Sequence, residues 1–98
     1  MLRHVSLFSF TPESTPAQRQ AVGEALMKLP ALIAEVRDYR YGPDAGVNAG
    51  NFDYAVVADF DDTAGYLVYR DHPEHRRVLL ELIAPIITTR AAVQFVAG

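Results

Sequence analysis

A chain of 98 residues, half of them apolar, supplies material for one domain with a modest core, spanning residues 1–98. A net charge of −3 with scattered Lys and Arg argues against a nucleic-acid-binding surface, which needs clustered positive charge. The absence of cysteine excludes disulfides, thiolate nucleophiles and thiolate-bound zinc.

The start, Met1 to Leu7, is too short and too polar for a secretory signal, and no apolar run approaches membrane-spanning length. A cytoplasmic protein without a membrane partner is expected. Residues 2–10 alternate as a strand does, with His4, Ser6, Phe8 and Phe10 on one face and Val5, Leu7 and Ser9 on the other. Thr15 then reads as a helix N-cap, with Pro16 in the first helical position and Gln18 placed to complete a capping box. Val22, Leu26 and Leu29 follow at amphipathic spacing until Pro30 closes or kinks the helix.

A second strand is expected over residues 36–41, stopped by Gly42-Pro43. The stretch from Pro43 to Asn51 is rich in Gly, Asn and Asp and reads as an exposed connection. Residues 52–60 form the clearest strand, with Tyr54, Val56, Ala58 and Phe60 sharing one face and Asp53, Ala55, Val57 and Asp59 the other. Asp61-Asp62 caps a short helix carrying Tyr66 and Tyr69 three residues apart, hence side by side.

Pro73 disfavours helical geometry at His72, so this helix should end near Arg70, and Pro73 can open a second helix reaching about Ala84. The segment Tyr69 to His75 is thus the hinge between two short helices, and it holds two of the three histidines. The neighbouring Arg76-Arg77, the only adjacent basic pair, reads as a solvated helix face rather than an anion site. A last strand is expected over residues 88–96.

The order strand, helix, strand, strand, helix pair, strand is the split β-α-β plan of an α+β, ferredoxin-like domain. It predicts a four-stranded antiparallel sheet with its helices on one face. Three of the four strands carry apolar side chains on both faces, yet helices can cover only one. An antiparallel sheet with a wet second face should show a polar row there. Leaving Val5, Leu7, Ala55 and Val57 in water would create the kind of apolar patch that marks an interface. The expected partner is a second copy, laid face to face on this open surface. A monomer with a mildly apolar face is the alternative.

His4 on the first strand, Gly42 after the second, Phe60 ending the third and the Tyr69-x-x-His72-Pro73-x-His75 signature together resemble the stress-responsive A/B-barrel (Dabb) family. The resemblance spans essentially the whole chain and implies a dimeric α/β barrel of two ferredoxin-like subunits. Polyketide cyclases of the olivetolic acid cyclase type are similar and work without metal or nucleotide cofactor. By that resemblance His75 would be a general base, Tyr69 would hydrogen-bond a substrate carbonyl, and His4 would line the pocket. Tyr54 departs from the cyclase pattern, which has a histidine there.

The residues themselves allow this chemistry. His75 lies in the first turn of a helix, where the macrodipole disfavours imidazolium and keeps the ring neutral, as a base must be near pH 7. His4, Phe8, Tyr54, Val56, Phe60 and Tyr66 would form the ligand-binding wall. Each residue also has a plainer use: Tyr69 as a core ring tied to backbone, His72 as the cap of the helix that Pro73 starts, His75 bound to a carbonyl or carboxylate, His4 as an ordinary strand residue. A metal held by His72 and His75 with Asp71 or Glu74 is disfavoured, because Pro73 removes His72 from the helix and the ligand set is poor.

Three functions follow as expectations. One is a dimeric protein binding a small apolar or aromatic carbonyl compound. A second is a cofactor-independent lyase, cyclase or isomerase using Tyr69 and His75. The third is a cofactor-free monooxygenase of the same barrel architecture.

Overall fold

The computed structural model describes residues 1–98. The chain runs β1 (Leu2–Phe10), α1 (Pro16–Leu32), β2 (Asp38–Pro43), β3 (Tyr54–Phe60), α2 (Thr63–Asp71), α3 (Pro73–Arg77) and β4 (Ile87–Val96). Between α3 and β4 the backbone stays helical through a π turn over Val78–Ile83 and a 3-10 turn over Ala84–Ile86. The four strands form one antiparallel sheet in the order β2-β3-β1-β4. This is the expected ferredoxin-like α+β plan.

Local chemistry explains the boundaries. Thr15 accepts from the Gln18 amide at 3.1 Å while the Gln18 side chain accepts from the Thr15 amide at 2.9 Å, the reciprocal capping box. Helix α1 does not stop at Pro30 but continues to Leu32, where the Ile33 amide still donates to the Leu29 carbonyl. Leu26, Leu29 and Ile33 are almost fully buried on the face that holds the helix down, which offsets the hydrogen bond that proline removes.

Strand β2 begins two residues later than expected. Val36 is held in a turn by a bond to the Ile33 carbonyl, and the Arg37 amide bonds the Asp59 carbonyl. The strand then extends through Gly42 to Pro43, which an edge strand tolerates. Strand β3 begins at Tyr54 because Asp53 is committed to closing the preceding loop. Its amide bonds the Phe8 carbonyl, and its carboxylate accepts from the Phe10 amide at 2.9 Å. Gly46 and Gly50 take positive φ in that loop, a conformation that favours glycine.

The core lies between the sheet and the helices. Phe8, Phe10, Tyr54, Val56, Ala58 and Phe60 rise from β1 and β3 to meet Val22, Leu26, Leu29 and Ile33 of α1, with Tyr69, Val78, Ile83 and Ile86 closing the other side. The alternation read from the sequence therefore assigns the inner face correctly.

The outer face carries no helix. Val5 stands between Val57 and Val93 in the register, and Leu7 between Ala55 and Ala91, giving an apolar band across three strands. Val93 and Phe95 are exposed there. At one end of the band Arg3 forms a two-point ion pair with Asp59, at 2.7 and 3.0 Å. The guanidinium holds the Asp59 carboxyl below its ordinary range. The helices also leave the inner face of β4 largely uncovered, so Arg90 and Gln94 border an opening beside β1.

Candidate functional site

That opening leads into a cavity of about 250 Å³ between β1, α2 and the helical run that follows Pro73. The proline hinge builds it. Asp62 caps α2 through a bond from the Gly65 amide, which fixes the face that turns Tyr66 and Tyr69 inward. At His72 the chain becomes extended, and the His72 ring accepts from the Glu74 amide at 3.1 Å, capping α3. His72 is thus the cap that the sequence suggests. One turn later His75 reaches the cavity wall, followed by Val78, Leu79 and Ile83.

Of the residues expected at a site, His4, Phe8, Val56, Tyr66, Tyr69 and His75 line this one cavity. Tyr54 and Phe60 do not, and the expected wall is corrected for both. Phe60 is fully buried beneath the rings of Tyr66 and Tyr69, with centroids at 5.7 and 5.2 Å. Tyr54 stacks on Phe8 and lines a separate open groove against α1, with its hydroxyl 3.3 Å from where a Cβ on Gly23 would sit. Face alternation places a residue on the correct side of a sheet, but it does not say which part of that side a helix fills.

Sequence reasoning missed the arginines. Arg70, Arg76 and Arg90 all line the cavity, and no aspartate or glutamate does. The adjacent pair Arg76-Arg77 divides. Arg77 lies near Glu74 and Glu81 at 3.4 and 3.6 Å on the solvated face, whereas Arg76 turns to the cavity. The helical offset of about 100° per residue was the available signal, since neighbours on a helix cannot share a face. Arg90 was legible only with the β1–β4 register, which sets it opposite Phe8.

The polar groups inside have defined states. Tyr69 is 2% exposed, and its hydroxyl meets the Tyr39 hydroxyl at 2.8 Å rather than a backbone group. Burial pushes the Tyr69 phenol up to about 12, a shift that the bond with Tyr39 moderates. Burial likewise drives Tyr39 well above the ordinary phenol range. His75 packs on Tyr69 with ring centroids 4.0 Å apart. Its Nδ1–H donates to the Arg70 carbonyl at 3.1 Å, which leaves the lone pair of the neutral ring on Nε2. Burial is the largest influence on His75 and pulls its pKa below the usual imidazole value, with Arg76 and His72 adding to the effect against the Arg70 carbonyl.

His4 has the opposite polarity. The Gln94 amide nitrogen stands 2.8 Å from Nδ1 and donates to it, so the ring proton resides on Nε2. Burial, then the neighbouring His75 and Arg90, lower its pKa to about 4, so His4 is neutral near pH 7. No buried side-chain nitrogen or oxygen lacks a partner, so both Nε2 atoms, which have no protein partner, are reached from solvent. The cavity therefore offers one neutral donor and one neutral acceptor among mostly hydrophobic walls, with arginines beside them. No group of three or more His, Asp and Glu side chains is placed to hold a metal.

The chain matches the family model for the Stress responsive A/B Barrel Domain (Dabb) over residues 2–97. It is similar to a dimeric ferredoxin-like protein of unknown function from Thermobifida fusca, with 48% identity and a TM-score of 0.91 over 98% of this chain and 90% of that one. A Dabb family protein with a ferredoxin-like fold from Mesorhizobium loti aligns at 18% identity and a TM-score of 0.81, over 99% of this chain and 96% of that one. A hydroxynitrile lyase from Passiflora edulis shares the fold at 17% identity, with a TM-score of 0.87 over 99% of this chain and 93% of that one. No curated protein matches significantly. No helix is long and apolar enough to cross a membrane.

Proposed function

This chain belongs to the stress-responsive A/B barrel (Dabb) family, and on that premise we propose that it is a cytoplasmic homodimer binding a small apolar or aromatic carbonyl compound in each subunit. The observation that carries the reading is the pairing of His4 Nε2–H with the lone pair on His75 Nε2 in one cavity of about 250 Å³ whose lining is mostly hydrophobic. A carbonyl oxygen accepts from His4, while an adjacent hydroxyl or acidic C–H faces His75. The volume lies just below the ~300–1,000 Å³ usual for ligand pockets and suits a single ring better than a long chain. Pairing through the open sheet face is supported by the apolar band around Val5 and Leu7. The 48% identical Thermobifida fusca protein, described as dimeric, supports it too.

Calorimetry with acetophenone tests the binding. Heat of binding is expected with the wild-type chain and none with Ile83→Trp, which fills the cavity. Equal binding by both proteins would place the ligand elsewhere and end the proposal.

A second reading, a cofactor-independent lyase, cyclase or isomerase, is favoured by the contact between His75 and Tyr69. His75 Nε2 would remove a proton next to the substrate carbonyl. Tyr69, its hydroxyl linked to Tyr39, would donate a hydrogen bond to the oxygen that gains charge. Loss of aldol or retro-aldol turnover in His75→Ala and Tyr69→Phe, far in excess of any loss of ligand binding, is the expected outcome. Retained turnover in either variant would sink this reading alone.

A further inference from the structure

The cavity has a charge that the carbonyl reading leaves unused. Five of the chain's nine Lys and Arg residues form ion pairs: Arg3, Arg37, Arg40, Arg70 and Arg77. Arg70, at the cavity, is neutralised by Asp71 through two bonds of 2.9 and 3.0 Å. Arg76 and Arg90, by contrast, form no ion pair and no hydrogen bond to another side chain, although Arg76 stands near enough to Asp71 to help lower its carboxyl, and both line the cavity. They come from different elements, one from α3 and one from β4, and converge on the same opening. Each lies close enough to one histidine to lower its pKa, Arg90 for His4 and Arg76 for His75. The result is a positively charged mouth on a neutral, largely apolar interior, in a chain whose net charge is −3.

We propose that the ligand of this cavity is a small aromatic carboxylic acid, bound as its anion, with the carboxylate between Arg76 and Arg90 at the mouth and the ring against Phe8, Val56, Leu79 and Ile83. This inference rests on the binding reading above and narrows its ligand class. The planar guanidinium forks match a carboxylate edge to edge. Both histidines are uncharged, so they offer hydrogen bonds to a ring hydroxyl or carbonyl without competing for the anion. No acid lines the cavity, and the nearby Asp71 is already paired with Arg70, which limits the repulsion an anionic ligand would meet.

The test compares benzoate with benzamide, its uncharged isostere, by calorimetry on the wild-type chain, on Arg76→Gln/Arg90→Gln and on Ile83→Trp. Benzoate is expected to bind wild type about ten-fold more tightly than benzamide, a ratio worth ~1.4 kcal/mol. The double arginine variant should weaken benzoate about ten-fold more than benzamide and so erase that preference, and Ile83→Trp should weaken both compounds. Equal affinities in wild type would overturn the carboxylate assignment and leave the pocket reading standing. A benzoate preference that survives the double variant would overturn the roles of Arg76 and Arg90. Failure of both compounds to bind, or binding untouched by Ile83→Trp, would overturn the assignment together with the pocket it depends on.

Discussion

Removing the Tyr69 hydroxyl separates packing from chemistry at this site. In Tyr69→Phe the ring stays in place against Phe60 and His75, but the Tyr39 hydroxyl, 2.8 Å away, loses its partner in a partly buried position. An orphaned buried hydroxyl costs ~1–3 kcal/mol, so each single variant, Tyr69→Phe and Tyr39→Phe, should lose about that much stability. The double variant removes both hydroxyls and leaves no orphan. It should therefore cost less than the two singles together, with a coupling of about 1–2 kcal/mol. Urea denaturation of the four proteins at one protomer concentration measures this directly, since the stability of the proposed dimer would depend on concentration. Strictly additive losses would refute the argument, because two hydroxyls that satisfy only each other cannot be lost independently.

His4 should make stability depend on pH. Its folded pKa of about 4 lies below the unfolded imidazole value of 6.5, so the unfolded chain gains the proton first and stability falls as pH drops through that window. From about pH 7.5 to about pH 5 the share due to His4 is ~2 kcal/mol, and the profile of His4→Asn should be flatter by that amount. Parallel profiles would show that His4 is not buried as a neutral ring. His72→Ala removes the cap on α3 and should cost ~1 kcal/mol by thermal unfolding. An unchanged melting temperature would mean that the bond to the Glu74 amide contributes nothing. Val5→Glu puts a charge at the centre of the open face and should shift light scattering from twice the chain's mass to the monomer mass. A wild-type protein already at monomer mass would contradict the face-to-face pairing.

Most of the architecture was legible because it depends on alternation and punctuation. Inner-face residues such as Phe8, Val56 and Phe60 follow from a period of two, and Thr15, Asp62 and His72 announce helix starts through side chains that accept backbone bonds. The errors fell where tertiary contacts override local preference. Pro30 is carried inside α1 because Leu29 and Ile33 are pinned on either side, and Val36 is held out of β2 by a turn bond to the Ile33 carbonyl. At the site, Tyr69, His75 and His4 converge as their positions suggested. The link from Tyr69 to Tyr39 joins residues thirty apart and has no sequence signature. Arg90 likewise needed the pairing of β1 with β4, a contact between chain ends.

The π turn at Val78–Ile83 shapes the cavity in a way that substitutions do not readily imitate. Burial steps from His75 to Val78, then five residues to Ile83, then to Ile86, whereas an unbroken α-helix would return to the same side at Leu82. One surplus residue thus retards the phase of the whole downstream segment and chooses which side chain becomes the far wall. Relatives that gain or lose a residue here would carry chambers of different calibre on an unchanged frame. A single inserted or deleted residue at this bend would therefore change the chamber's shape while leaving the sheet register as it is.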